Sequence, residues 1–277
     1  MTDVFYVDGK FSVGEPAYLP INDLMVLRGY GVFDFTRTYH RRPFHLKAHV
    51  ERLFASAHAI ELATPFTMDE VIAKVQEALA LSTYPECFIR ILITGGDGVD
   101  SITPSGQSRL TIMVTKAHEY PDSDYQNGLK VITTNQPRYL AGVKTLGYIS
   151  AVRAMQQATQ ADAVEAVYVD SAGYVYEGTT TNIFIVSEGK IITPPLKGVL
   201  DGITRRLVLE LAQPFFEVIE APFKVEQLYS ADEVFITSST KEIMPITRVD
   251  DLLIGDGKVG AVTQKLIVSF KALTHNS

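Results

Sequence analysis

The rhythm of apolar residues in the second half of the chain narrows the fold most. They fall into short runs, Leu129–Thr134, Ala166–Val169, Val175–Val186, Lys190–Thr193, Val218–Ala221 and Glu233–Thr237, with the length and β-branched or aromatic content of strands. Helical patterns interrupt them only at intervals: a short piece after Val143, a stretch of about Thr204–Ala212 with Leu207, Val208 and Leu211 on one side, and Val262–Leu273. A doubly wound parallel sheet needs regular βαβ alternation, which is missing here. The class expected is α+β.

The first half is mixed. Val4–Val7 and Phe11–Val13 flank Asp8-Gly9-Lys10, a hairpin signal. Leu19–Gly31 reads as a loop with a short helical piece that carries Arg28. Val32–Tyr39 alternates as a strand, with Phe33, Phe35 and Arg37 on one face. Leu46, Val50, Leu53, Ala57 and Ile60 recur at helical spacing over His45–Leu62, and Thr67–Glu70 has the capping-box pattern of a second helix start. Cys87–Thr94 and Leu110–Thr115 read as strands. The polar stretch Lys116–Gly128 is the best linker candidate. The expected organisation is a domain over 1–116, a linker over 117–128 and a second domain over 129–277.

Net charge is −7, which argues against a nucleic-acid surface. Cys87 is the only cysteine, so neither an intramolecular disulfide nor a cysteine metal cluster can form, and no metal is expected. No apolar run approaches the roughly 20 residues of a membrane span, and the N-terminal residues lack a signal-peptide pattern. The expected setting is cytoplasmic, with no membrane or nucleic-acid partner.

One stretch, Val143–Asn182, holds residue types that could do chemistry. Lys144 lies in a loop at its start and Glu177 near its end, followed by Gly178 and Thr179-Thr180-Thr181. Paired strands between them could bring the two together, which would suit a cofactor needing an amine at one end and a carboxylate at the other. A loop lysine can form a Schiff base with a carbonyl cofactor if partly desolvated; a solvated surface lysine is the plain alternative. For Glu177 the alternative is a strand-edge ion pair. Gly198–Arg205 opens a helix near Thr204, where free N–H groups can hold phosphate, or where ordinary capping serves the helix. Thr237-Ser238-Ser239-Thr240 is a hydroxyl turn that could do the same. Arg52 lies beside the apolar stripe of its helix, and Arg90 interrupts an apolar strand, so it must be paired or wet.

In order along the chain, G-Y-G-V-F-D-F, H-V-E-R-L, K-T-L-G-Y, Y-E-G-T-T-T-N-I-F, G-V-L-D-G-I-T-R and T-S-S-T-K-E-I-M-P-I resemble the class IV (fold-type IV) pyridoxal-phosphate aminotransferases over essentially the whole chain. The resemblance implies the two-domain fold of that family, with a small N-terminal α/β domain and a larger β-rich C-terminal domain. It implies pyridoxal 5'-phosphate as cofactor and Lys144 as its Schiff-base amine and proton shuttle. Glu177 pairs with the pyridine nitrogen, Tyr148 sits near the 3-oxygen, and Leu200 packs on the ring. Arg52, Ile203, Thr204, Ser239 and Thr240 are at the phosphate. Amino acids and keto acids are the implied substrates, in ping-pong order, on a homodimer whose sites are completed by the partner's N-terminal loop.

Within the family, the turn T-S-S-T-K-E-I and the trio Phe33, Phe35 and Arg37 lean toward the D-amino-acid enzymes. The loop G-G-D-G-V-D-S-I-T-P lacks their R-x-H pair. The expectation is transamination of a D-amino acid such as D-glutamate or D-alanine with α-ketoglutarate or pyruvate. Arg28 of one subunit and Arg90 of the other would bind the carboxylate. The alternatives are a branched-chain L-amino-acid aminotransferase and aminodeoxychorismate lyase.

Overall fold

The computed structural model describes residues 2–136 and 138–275. Among them the chain forms two compact units: residues 2–118 with Val143–Gly147, and Glu119–Gly142 with 148–275. The stretch carrying Lys144 thus belongs to the first unit, although both its chain neighbours belong to the second.

The first unit contains β1 (Val4–Val7), β2 (Lys10–Val13), α1 (Leu24–Arg28), β3 (Gly31–Tyr39), β4 (Arg42–Pro43), α2 (Leu46–Ala59), α3 (Met68–Leu81), β5 (Cys87–Thr94) and β6 (Arg109–Lys116). Its antiparallel sheet has the order β2-β1-β6-β5-β3-β4. Alternation along the strands divides its two faces. Val32, Ile89, Ile91, Ile93, Ile112 and Val114 join a core with Val50, Leu53 and Ala57 of α2 and Val71, Val75 and Ala78 of α3. Each large aliphatic side chain buried there contributes about 1.5–3 kcal/mol. The other face carries Phe33, Phe35 and Arg37, paired across strands with Leu92, Arg90 and Phe88. Helix α3 begins with a complete capping box between Thr67 and Glu70. Arg109 binds three aspartates, Asp8 at 2.8 Å and Asp23 and Asp97 at 2.9 Å. It thereby ties the β1–β2 turn and the N-cap of α1 to the loop after β5.

The second unit contains α4 (Asp122–Asn127), β7 (Leu129–Thr134), α5 (Ile149–Gln160), β8 (Glu165–Val169), β9 (Val175–Gly178), β10 (Asn182–Ser187), β11 (Lys190–Thr193), α6 (Ile203–Ala212), β12 (Val218–Glu220), α7 (Val225–Tyr229), β13 (Glu233–Ser238), β14 (Glu242–Val249), β15 (Leu252–Leu253) and α8 (Ala261–His275). The strand order is β12-β11-β10-β13-β14-β7-β8-β9, with β15 beside β14. The β11–β12, β14–β7 and β7–β8 pairs are parallel. Its core is aliphatic and aromatic: Ile183, Ile185, Phe223, Val234, Ile236, Met244 and Ile246 are all buried.

Several features depart from the sequence reading. The apolar run Val175–Val186 is two strands, because the chain turns at Thr179–Thr181. Residues 122–127 of the expected linker form a helix. Strand β14 was unanticipated because Pro245 argues against a central strand. Its neighbour β7 joins only from Ile246 onward, so Pro245 lies just outside that pairing.

Candidate active site

In the first unit, the chain at Lys144 is laid along β3 by main-chain bonds. Phe33 N–H donates to the Lys144 carbonyl (3.0 Å), Leu146 N–H donates to the Gly31 carbonyl (3.0 Å), and Lys144 N–H donates to Ser56 Oγ (3.3 Å). The half-buried Lys144 directs Nζ over the Phe33 ring, 4.6 Å from its centroid. Phe35 and Arg90 form the next pair on that face, with the guanidinium 5.4 Å from the ring. Arg90 is exposed, so its place in an apolar run costs no buried charge. Arg37 is buried, with its guanidinium 4.6 Å from the Tyr39 ring centroid and 6.0 Å from that of Phe88. Arg28 is exposed in the last turn of α1, and its Nη1 donates to the Leu27 carbonyl.

Arg52 is held from behind. Its Nε and Nη2 donate to the two Asp34 carboxylate oxygens at 2.8 and 2.9 Å, and His49 Nδ1 donates to Asp34 at 2.6 Å. Asp34 is fully buried. Burial pushes its carboxyl up, but Arg52 and His49 outweigh burial and hold it well below the usual carboxylate range. Burial pushes the His49 imidazole down, and although Asp34 opposes this, His49 stays neutral near pH 7. Sequence reading missed both residues. The available signal was geometric: Asp34 alternates onto the helix-facing side of β3, and His49 and Arg52 are three apart on α2.

In the second unit, Glu177 is 2% exposed at the end of β9. It accepts from the Leu200 N–H at 3.1 and 3.0 Å and from the Asn182 amide at 3.3 Å, and it pairs with Arg138. The Asn182 amide also donates to the Leu200 carbonyl (2.9 Å), so Leu200 is fixed at both polar groups. Arg138 was missed as well. The signal lay six residues before Lys144, a second cation in the same loop between β7 and α5. Burial pushes its guanidinium down, against the phenols of Tyr148 and Tyr168. Tyr148 is half-buried at the N-cap of α5.

Helix α6 starts at Gly202, with no side-chain cap. Ile203 and Thr204 are buried in its first turn, ahead of its first internal bond, from Arg206 N–H to the Gly202 carbonyl. A Cβ on Gly202 would lie 2.0 Å from Asn182 Oδ1, so only glycine permits this approach. Asp201 pairs with Arg206 at 2.9 Å. Ser238 at the end of β13 and the turn residues Ser239 and Thr240 are half-buried, with Ser238 Oγ and Thr240 Oγ1 3.2 Å apart. Just before it, Thr237 buries a hydroxyl that meets no hydrogen-bond partner among the described residues. An uncapped helix start with free N–H groups, a hydroxyl turn and a buried carboxylate suit a phosphorylated ring with a basic nitrogen. Among the described residues no His, Cys, Asp or Glu cluster could hold a metal ion, and no helix is long and apolar enough to cross a membrane.

Residues 31–249 match the family Amino-transferase class IV, and the chain belongs to it. It has the fold-type IV aminotransferase fold. A provisionally named branched-chain-amino-acid aminotransferase of Methanocaldococcus jannaschii is 37% identical over 273 residues, covering 96% of this chain and 94% of its own. A D-alanine aminotransferase of Staphylococcus epidermidis is 33% identical over 279 residues, covering 98% and 97%. Among solved structures, a branched-chain amino acid aminotransferase from T.th. with pyridoxamine 5'-phosphate superposes with a TM-score of 0.93 at 28% identity, covering 100% of this chain and 96% of its own.

Proposed function

We propose that this class IV aminotransferase exchanges the amino group between a branched-chain L-amino acid and 2-oxoglutarate, with pyridoxal 5'-phosphate as cofactor. The observation that carries the substrate reading is the aromatic face beside Lys144. Phe33 lies under the amine and Phe35 lies one cross-strand pair further on, offering an apolar side chain a packing surface. The Arg90 guanidinium against Phe35 offers a substrate carboxylate a planar partner.

The cofactor, when bound, supplies an electron sink for the pair left when the substrate Cα–H bond breaks. Lys144 would hold it through its amine and carry the Cα proton. Glu177 is paired with Arg138 and oriented by the Leu200 N–H, so that it would keep a proton on the ring nitrogen. Tyr148 would serve the 3-oxygen and Leu200 the ring. Arg52, the first-turn N–H groups of Ile203 and Thr204, and the hydroxyls of Ser239 and Thr240 would hold the phosphate. Exposed Tyr18, Ile21, Val99 and Ile102 support a homodimer in which Arg28 reaches the partner's site.

The D-amino-acid reading stays as the second one. The Staphylococcus relative and the turn Thr237–Thr240 favour it, while the missing R-x-H pair speaks against it. A half-reaction screen separates them. The cofactor-loaded protein is mixed with L-leucine or D-alanine and bleaching of its visible absorbance is followed. Fast bleaching by L-leucine alone is expected; bleaching by D-alanine alone would overturn the branched-chain reading. Arg90→Ala should raise KM for 2-oxoglutarate at least tenfold, and an unchanged KM would remove Arg90 from the carboxylate site.

A further inference from the structure

The threonine run after Glu177 and the lysine after the hydroxyl turn have no part in the site so far. They meet at Glu165. This β8 residue is fully buried. Its Oε1 accepts the N–H groups of Ala166 and Thr179, both at 3.1 Å, and the Thr179 hydroxyl. Its Oε2 accepts the Thr180 N–H at 3.2 Å and the Thr180 hydroxyl at 2.6 Å. Lys241, 6% exposed, places Nζ 3.7 Å from the same oxygen and donates to Thr180 Oγ1 at 3.3 Å. The Thr180 hydroxyl therefore accepts from the lysine and donates to the carboxylate, as one hydroxyl can.

The arrangement requires the glycine between Glu177 and the threonines. A Cβ on Gly178 would lie 2.8 Å from Glu165 Cγ and 2.2 Å from Thr181 Oγ1. At the other end Lys241 is fastened through its main chain. Its N–H donates to Ser238 Oγ at 3.1 Å, that oxygen lies against Thr240 Oγ1, and its carbonyl accepts from the Tyr125 hydroxyl at 3.3 Å. A buried ion pair is weak evidence for stability, since desolvation offsets most of its attraction. What this one does is connect. Through Thr180 it links the segment immediately after Glu177 to the residue immediately after Thr240.

We infer that Glu165 and Lys241 are positioning residues that fix the Ser238–Thr240 turn relative to Glu177, and so set the affinity for the phosphate end of the cofactor. The inference rests on the pyridoxal-phosphate reading above. In the full-length protein Lys241→Met removes the charge and keeps the chain length. Dissociation constants for pyridoxal 5'-phosphate and for pyridoxal, which lacks the phosphate, are measured by absorbance titration. Lys241→Met is expected to weaken the phosphorylated form at least tenfold and pyridoxal less than twofold. In a Thr240→Val background the same substitution should add less than twofold, because both act on one turn. Equal losses for the two ligands, no loss for either, or full additivity would overturn the inference. Should Lys241→Met fail to fold, Thr180→Val removes only the bridging hydroxyl and is held to the same selective loss. Wild-type protein binding neither ligand would instead refute the cofactor reading itself, before any variant is compared.

Discussion

Replacing Asp34 with asparagine isolates the support behind Arg52. The carboxylate is fully buried and receives two guanidinium N–H groups, the His49 imidazole and the Phe35 N–H, the last at 2.7 Å. An amide of the same size turns one acceptor into a donor and leaves the guanidinium without a counter-charge. Removing one partner of a buried pair costs about 3–5 kcal/mol. At about 2–4 °C per kcal/mol for a chain this long, the melting temperature should fall by roughly 6–20 °C. A pH series adds a second reading. The folded carboxyl titrates well below the unfolded value of about 3.9. Its contribution is therefore complete above that value and is lost as pH falls toward the folded one. Asp34→Asn should be less stable than wild type at pH 7, and the difference should shrink below about pH 4. Thermal melts by circular dichroism from about pH 2.5 to 7 measure both. A loss under about 1 kcal/mol at pH 7, or a difference that does not shrink in acid, would refute the assigned role.

Other substitutions probe separate parts of the molecule. Lys144→Ala should abolish the visible absorbance of the loaded protein and lower transamination by at least about 10²–10⁴-fold, the scale for losing a general acid–base group. Glu177→Gln should slow the half-reaction by about 10²-fold while retaining the cofactor, since the loss is that of one preorganised charge; stopped-flow absorbance would detect an unchanged rate. His49 is neutral when folded, with its pKa depressed by burial, so the wild type should lose up to about 1.4 kcal/mol per pH unit as pH falls below the unfolded value near 6.5. His49→Gln should flatten that part of the stability curve. Thr67→Ala breaks the capping box of α3 and should cost about 0.5–2 kcal/mol in urea unfolding without altering the half-reaction.

Much of the fold was readable because its signals are local. Strand alternation around Phe33 and Phe35, the helical spacing of Val50, Leu53 and Ala57, and the Thr67–Glu70 cap each depend on a few consecutive residues. Strand β14 was not readable, since Pro245 argues against a strand, while its pairing with β13 and the late start of the pairing with β7 are long-range facts. The site shows the same division. Lys144, Glu177 and Thr204 stand in short motifs and were singled out. Asp34, His49, Arg138, Glu165 and Lys241 act by gripping other side chains, and their partners become visible only when strands and helices are assembled. Arg90 illustrates the converse: its apolar neighbours required it to be paired or wet, and its side chain is exposed although Phe88 and Leu92 on the same face of β5 are buried.

The grouping of Val143–Gly147 with residues 2–118 bears on how such a protein can be divided. The polypeptide passes from one unit to the other, returns for five residues, and passes back. Cutting the gene after His118 would give a front half without its lysine. The back half would keep Lys144 but lose Phe33, Gly31 and Ser56, the groups that fasten that stretch. Gene fission at the boundary should therefore separate the amine from its mooring. Domain shuffling could exchange these halves only by carrying the short visiting segment and its berth on β3 as a matched pair.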